Sequence, residues 1–286
     1  MKPGVNWRRW IRTNPATGVL GAGLAFLALT GSQCDDCVTD ECGCYDVDGR
    51  IPYAPSGVYS VTGDGRVDLY WNPSPEEDLA HYRIYVSPAP DGPFESIGET
   101  DATWFADHGA RNGQTEWYAV TAVDHCGEES PLSGNDVFDT ARPEGYDLEL
   151  WNRYGSRPEL SGWDTVNRRR QPVGADGTDV WVEVMGGRPE LVAAPGADIQ
   201  DAGFGPPTMV DWAPVDGWSP SGRVELIEGH NLVIRTGDGF FARFHVVNVA
   251  DGRVTVDWAV QLDRGNRELS TTPPIGDPEP AGREEE

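Results

Sequence analysis

The stretch Gln114-Thr115-Glu116-Trp117-Tyr118-Ala119-Val120-Thr121-Ala122-Val123-Asp124 decides the fold. Side chains two apart share a face in a strand, so Tyr118, Val120 and Ala122 line one side and predict a strand with a buried face. Asn112-Gly113 supplies a turn leading into it.

Working outward, six more short runs of the same kind appear. Val58 to Val61 opens the series, Asp64-Gly65 turns, and Arg66 to Trp71 follows with Val67, Leu69 and Trp71 aligned. Pro73-Ser74-Pro75 stops that run, because proline cannot donate to a strand ladder. Tyr82 to Ser87, Phe94 to Ile97, Thr103 to Ala106 and Asn135 to Ala141 complete seven strands. Short strands at this spacing predict an antiparallel sandwich of the immunoglobulin type. Composition agrees, since Gly 35 and Pro 23 favour turns over helices.

The residues Leu69-Tyr70-Trp71, Tyr82-Arg83-Ile84-Tyr85, Tyr118 to Asp124 and Glu129-Ser130-Pro131 together resemble the fibronectin type III family. The resemblance covers residues 55–141. It implies that Trp71 is the core tryptophan and that Tyr118 is a corner tyrosine whose hydroxyl bonds to nearby backbone. No Arg-Gly-Asp tripeptide is present, so integrin-type adhesion gains no support.

Residues 1–33 hold Lys2, Arg8, Arg9 and Arg12 and no acid, followed by an apolar run from Val19 to Leu29. This is the layout of an export signal, and the run is too short to span a bilayer. The position of Cys34 resembles the lipidated cysteine of bacterial lipoproteins, although Gln33 stands where that family has Gly or Ala. The resemblance implies attachment to a membrane through an N-terminal lipid, at the cell envelope. Residues 34–54 read as a cysteine-rich tether. Cys34, Cys37, Cys42 and Cys44 could hold a metal, but in an exported chain disulfides are the expected fate, with Cys126 within reach of the set. Asp46-Val47-Asp48-Gly49 opens like a calcium loop, yet Gly57 stands where an acid would close it, so it reads as a turn.

The net charge of −25 becomes −29 when the four basic groups of residues 1–33 are set aside. Such a field repels phosphate backbones and excludes nucleic acid as a partner. Arg168-Arg169-Arg170 is the one basic run beyond the leader, read as a solvated loop or as a dock for an anionic group.

Residues 142–146 read as a linker and 147–270 as a second all-β domain, because the tryptophan and tyrosine spacings of the first do not recur. Val180 to Met185 and Leu191 to Ala194 flank a hairpin at Gly186-Gly187-Arg188. From Arg223 to Leu262 a meander is expected, with Leu232, Ile234, Phe240, Ala242, Phe244, Val246, Val254, Val256, Trp258, Val260 and Leu262 on its apolar face. Its opposite, solvent-facing side would carry Arg235, Arg243, His245, Asp257 and Gln261. The meander resembles the last strands of haem-scavenging surface lipoproteins, which would make His230 and His245 the candidate haem ligands. Residues 271–286 form an acidic, proline-rich tail expected to be disordered.

No nucleophile elbow, zinc-protease helix or phosphate-cradling glycine loop is present. The sequence therefore points to no catalytic residue, no metal ligand and no cofactor. Trp212 and Trp218, in a loop rich in Pro, Gly and Asp, are the candidate contacts for a glycan or protein partner. The expected protein is a non-catalytic binding or spacer protein of the cell envelope. Its alternatives are a carrier of haem or carbohydrate and an accessory module of a glycan hydrolase.

Overall fold

A computed structural model describes residues 50–134, 137–250 and 252–269. These residues belong to one compact unit, Cys37–Glu286. Cys34, Cys37, Cys42, Cys44, the calcium-loop-like turn and the acidic tail lie outside the described residues.

The chain is all-β and antiparallel. The first seven strands are β1 (Tyr59–Gly63), β2 (Arg66–Tyr70), β3 (Leu79–Ser87), β4 (Glu95–Thr100), β5 (Trp104–Asp107), β6 (Thr115–Asp124) and β7 (Val137–Thr140). They build a three-stranded sheet, β1-β2-β5, against a four-stranded one, β4-β3-β6-β7. Register shows why the alternation in β6 matters: Tyr82 lies opposite Ala122, Ile84 opposite Val120, and Val86 opposite Tyr118. These pairs form one inward face, which packs on Val67, Leu69 and Trp71 from the other sheet.

β6 is buried on its second face too, beyond what alternation predicts. The segment after β6 runs back beside it, and Ser130 and Ser133 act as surrogate strand partners. Ser133 Oγ accepts from Val120 N at 2.9 Å, and Ser130 Oγ accepts from Ala122 N at 3.0 Å. Glu129 receives Arg83 at 2.5 Å, Tyr85 at 2.6 Å and Thr121 at 2.7 Å. Burial pushes its carboxyl up, but these donors and the Arg83 charge outweigh burial and hold it below the usual range. The Glu-Ser-Pro signature is thus a strap that seals the exposed face of β6.

The second sandwich comprises β8 (Glu144–Trp151), β9 (Gly162–Asp164), β10 (Arg169–Gln171), β11 (Val180–Met185), β12 (Arg188–Ala193), β13 (Asp198–Phe204), β14 (Arg223–Glu225), β15 (His230–Arg235), β16 (Phe241–Ala250) and β17 (Arg253–Gln261). One sheet runs β10-β9-β11-β12-β14 and the other β13-β15-β16-β17-β8. The core between them takes Leu232 and Ile234 from β15, Ala242, Phe244 and Val246 from β16, and Val254, Val256 and Val260 from β17. Trp163 anchors the facing sheet, with its ring 5.6 Å from Trp258 and 6.5 Å from Phe244.

Four expectations need correction. Glu144, Gly145 and Tyr146, read as linker, are strand, because Glu144 pairs with Ala259 and Gly145 with Trp258. The meander is β15-β16-β17, since β14 pairs with β12 in the other sheet. Arg168-Arg169-Arg170 is not a free loop: Arg168 turns the chain at φ 52° and the other two begin β10. The outward side of the meander is not solvated throughout, as Gln261 is 0% and Arg243 6% exposed.

Candidate functional site

What covers that outward side defines the candidate site. After β13 the chain makes a long excursion, residues 205–222, before β14, and after β17 residues 262–269 return over the same face. Together they build a small second core of Val210, Ala213, Val233, Phe241 and Leu269, with Ala202 and Trp218 packed against it.

Polar side chains rising from the sheet hold the start of the excursion. Asn231, fully buried, donates to the carbonyls of Gly205 at 2.9 Å and Pro206 at 3.3 Å. Arg243 donates through Nη1 to Pro207 O at 2.7 Å. Burial and the neighbouring Arg142 charge push the Arg243 guanidinium down to about 10. A buried cation is costly unless it is hydrogen-bonded, so this residue marks a place where the loop position is firmly specified. His245 Nδ1 lies 3.2 Å from Asn231 Oδ1, and burial holds the ring below its usual basicity.

The far end of the loop is held as well. Ala213 N donates to Arg267 O at 2.7 Å, Arg267 Nε donates back to Ala213 O at 2.7 Å, and Leu269 N donates to Asp211 O at 2.7 Å. Between these clamps stands Trp212, 60% exposed. Met209 and Val215 on the same excursion are also exposed. An indole held outward on a loop fixed at both ends is preorganised for stacking, because little conformational entropy is lost on contact.

Trp218 does a different job. Its ring packs into the second core, with the Arg235 guanidinium 5.2 Å from the ring centroid. The two candidate tryptophans therefore separate into an outward ring and a packing ring.

His230 and His245 do not form a haem clamp. Asn231 lies opposite His245 in the β15–β16 ladder, which puts His230 on the other pleat. His230 instead bonds Asp201 at 2.9 Å and sits against the exposed Phe204 ring at 6.1 Å. Among the described residues no group of three or more His, Cys, Asp or Glu could hold a metal ion.

In the first sandwich, Trp71 and Tyr118 are both buried, with Trp71 edge-on to Tyr82 at 5.3 Å. The Tyr118 hydroxyl does not bond backbone as the resemblance implied. It meets the carboxylates of Asp107 at 3.0 Å and Glu116 at 3.2 Å.

No family model matches the chain. Among curated proteins, 100 residues of it are 38% identical to an amylopullulanase of Thermoanaerobacterium saccharolyticum, covering 35% of this chain and 8% of that one. The amylopullulanase of Thermoanaerobacterium thermosulfurigenes is likewise 38% identical over 100 residues, with 5% of its length covered. The chain thus spans less than a tenth of these relatives. Among solved structures, a Fn3-like protein from Clostridium thermocellum is 24% identical, covering 34% of this chain and all of that one at a TM-score of 0.28. A DUF4466 family protein from Parabacteroides merdae is 9% identical, covering 75% of this chain and 96% of that one at a TM-score of 0.38.

The chain is an all-β protein whose first sandwich resembles the fibronectin type III fold. It is joined to a second antiparallel sandwich, and 100 residues of the chain are similar to a segment of amylopullulanases.

Proposed function

We propose that this protein is a non-catalytic glycan-binding accessory module held at the cell envelope, with the fibronectin type III sandwich as a spacer and the second sandwich as the binding part. The observation that carries the reading is Trp212, an exposed indole on a loop clamped at both ends. Aromatic rings presented on rigid supports suit the apolar faces of sugars. The stretch shared with amylopullulanases supports a glycan as the ligand class.

In this reading residues 1–33 direct export, Cys34 carries lipid, and residues 34–54 form a disulfide-bonded tether to the membrane. The net charge of −25 disfavours nucleic acid as a partner.

Affinity electrophoresis in gels containing pullulan tests the binding part. Retardation of the wild type, abolished in Trp212→Ala, supports it, and equal retardation of both proteins overturns it. If Cys34→Ser leaves processing and membrane retention unchanged, the anchor is wrong.

A further inference from the structure

We propose that Arg157, Arg170 and Arg253, gathered around Glu149 and Trp151 at the edge strand β8, form a binding site for the carboxylate groups of an acidic glycan. The choice of a glycan as the carrier of the anion rests on the function proposed above. The site itself uses none of the residues of the Trp212 loop.

Leu148 and Leu150 point from β8 into the core, so Glu149 and Trp151 point outward. Arg253 lies directly opposite Trp151 on β17. Its Nη1 donates to Glu149 Oε1 at 2.6 Å, and its guanidinium carbon is 5.9 Å from the Trp151 ring centroid. Arg157, from the loop that follows β8, brings its guanidinium to 4.9 Å from the same ring. Arg170 reaches from β10, the edge of the other sheet, and donates to Glu149 O at 3.4 Å. Three guanidiniums from three parts of the chain thus reach the Glu149–Trp151 stretch, one at the Glu149 carboxylate, one at the Glu149 carbonyl and one on the Trp151 ring.

A local gathering of cations stands out in a protein whose 47 acidic groups face 22 basic ones. Several arginines elsewhere are matched: Arg83 with Glu99 and Glu129, Arg153 with Glu183, Arg223 with Glu183 and Glu190, and Arg235 with Asp198. Arg157 and Arg170 have no acidic partner among the described residues. The surrounding stretch Asn152–Arg170 holds five arginines against Glu159 and Asp164, and Asp164 is engaged by Arg169. Packing of arginine stems over Trp151 accounts for the ring contacts of Arg157 and Arg253. It does not account for Arg170 or for the local surplus of charge.

A guanidinium lying on an aromatic ring keeps its edge N–H groups free and oriented. Such an edge matches the planar, two-oxygen face of a carboxylate. Each exposed pairing is weak and the overall field of the protein opposes anions, so binding needs several carboxylates on one chain and falls with salt. A polyuronate meets both conditions.

The test uses the full chain in affinity electrophoresis with polygalacturonate, its methyl-esterified form, and pullulan. Polygalacturonate retards the wild type at low salt, and the Arg157→Gln/Arg170→Gln double variant, which keeps the hydrocarbon stems, loses on the order of tenfold in affinity. Trp212→Ala keeps polygalacturonate binding. Three results overturn the proposal: equal binding by the double variant, equal binding of the methyl ester, or displacement by polyglutamate as effective as by free polygalacturonate. Wild-type binding to pullulan alone sinks this proposal and leaves the Trp212 reading standing. Binding to polygalacturonate alone does the reverse, and binding to neither sinks both.

Discussion

The guanidinium of Arg142 donates to the carboxylate of Glu144 across 3.2 Å while only 2% exposed, so the residue that joins the two sandwiches is itself buried. Around it lie Asp139, buried and bonded by Thr62 at 2.5 Å, and the neighbouring cation Arg243. Gln261 Nε2 bridges to Thr140 O at 3.4 Å, and Val260 N donates to Pro143 O at 3.0 Å. The junction is a buried polar seam crossed by these bonds, in which Asp139 Oδ2, Arg142 Nε and Arg243 Nε have no hydrogen-bond partner.

Arg142→Ala removes one charge from that seam, breaks its ion pair with Glu144 and takes a nearby cation away from buried Asp139. The expected loss is about 3 kcal/mol in urea unfolding at neutral pH. Burial already pushes the Asp139 carboxyl above its usual range, against the pull of Thr62, Ser60, Thr140 and Arg142. A raised carboxyl favours folding when protonated, and that contribution disappears as pH rises through its folded value. The deficit of Arg142→Ala therefore shrinks on acidification toward the ordinary aspartate range. A deficit that stays constant from pH 7 to pH 4 would show that Asp139 is not its origin.

Glu183 gives the opposite sign. Burial pushes its carboxyl up, but Trp181 Nε1 at 3.0 Å, Arg223 at 2.7 Å and Arg153 at 2.9 Å outweigh burial and hold it below the usual glutamate range. Its contribution is present above the ordinary glutamate value and is lost as pH falls through the depressed one. Glu183→Gln is expected to cost about 2 kcal/mol at pH 7. Its gap to wild type should close on acidification below the ordinary glutamate range, as read from paired denaturation curves.

Tyr118 is locked in its protonated form, since burial and then the charges of Asp107 and Glu116 drive its phenol far upward. In a spectrophotometric titration the folded protein should hold this tyrosine back until alkaline unfolding releases it. Tyr118→Phe leaves the Asp107 and Glu116 carboxylates without their donor and is expected to cost about 1 to 2 kcal/mol.

The two candidate tryptophans predict a clean separation. Trp212→Ala should change stability by less than about 0.5 kcal/mol, as an exposed side chain does, while removing pullulan binding. Trp218→Ala empties part of the second core and should cost about 2 kcal/mol or more. Thermal melts of both variants read the difference, and a destabilised Trp212→Ala would contradict the outward placement.

The strands legible in the sequence were those whose alternation is set by one buried face, such as β6, β16 and β17. The Trp71 and Tyr82 core of the first sandwich and the Phe244 core of the second follow from that alternation. β8 was not legible, because Asp147 at φ 55° interrupts the pleat and the register with β17 slips between Val256 and Trp258. β13 hid for another reason: its sequence, Asp198-Ile199-Gln200-Asp201-Ala202-Gly203-Phe204, offers few apolar residues to read. The polar residues Arg243 and Gln261 looked solvent-facing because their cover comes from residues 205–222 and 262–269, which lie distant in sequence or carry no periodicity. Trp212 was visible as a loop aromatic. Its clamps were not, since they are bonds to backbone carbonyls, from side chains and from backbone alike, between residues far apart in sequence.

The returning segment 262–269 has a mechanical consequence. Asn266 Nδ2 reaches Thr140 Oγ1 at 3.3 Å, so the chain leaves the second sandwich beside the point where it entered. A pull applied between the first sandwich and residue 269 would load this short doorway before it loads the strands beyond, and the second sandwich would stay folded, hanging to one side of the line of tension, until the doorway bonds part.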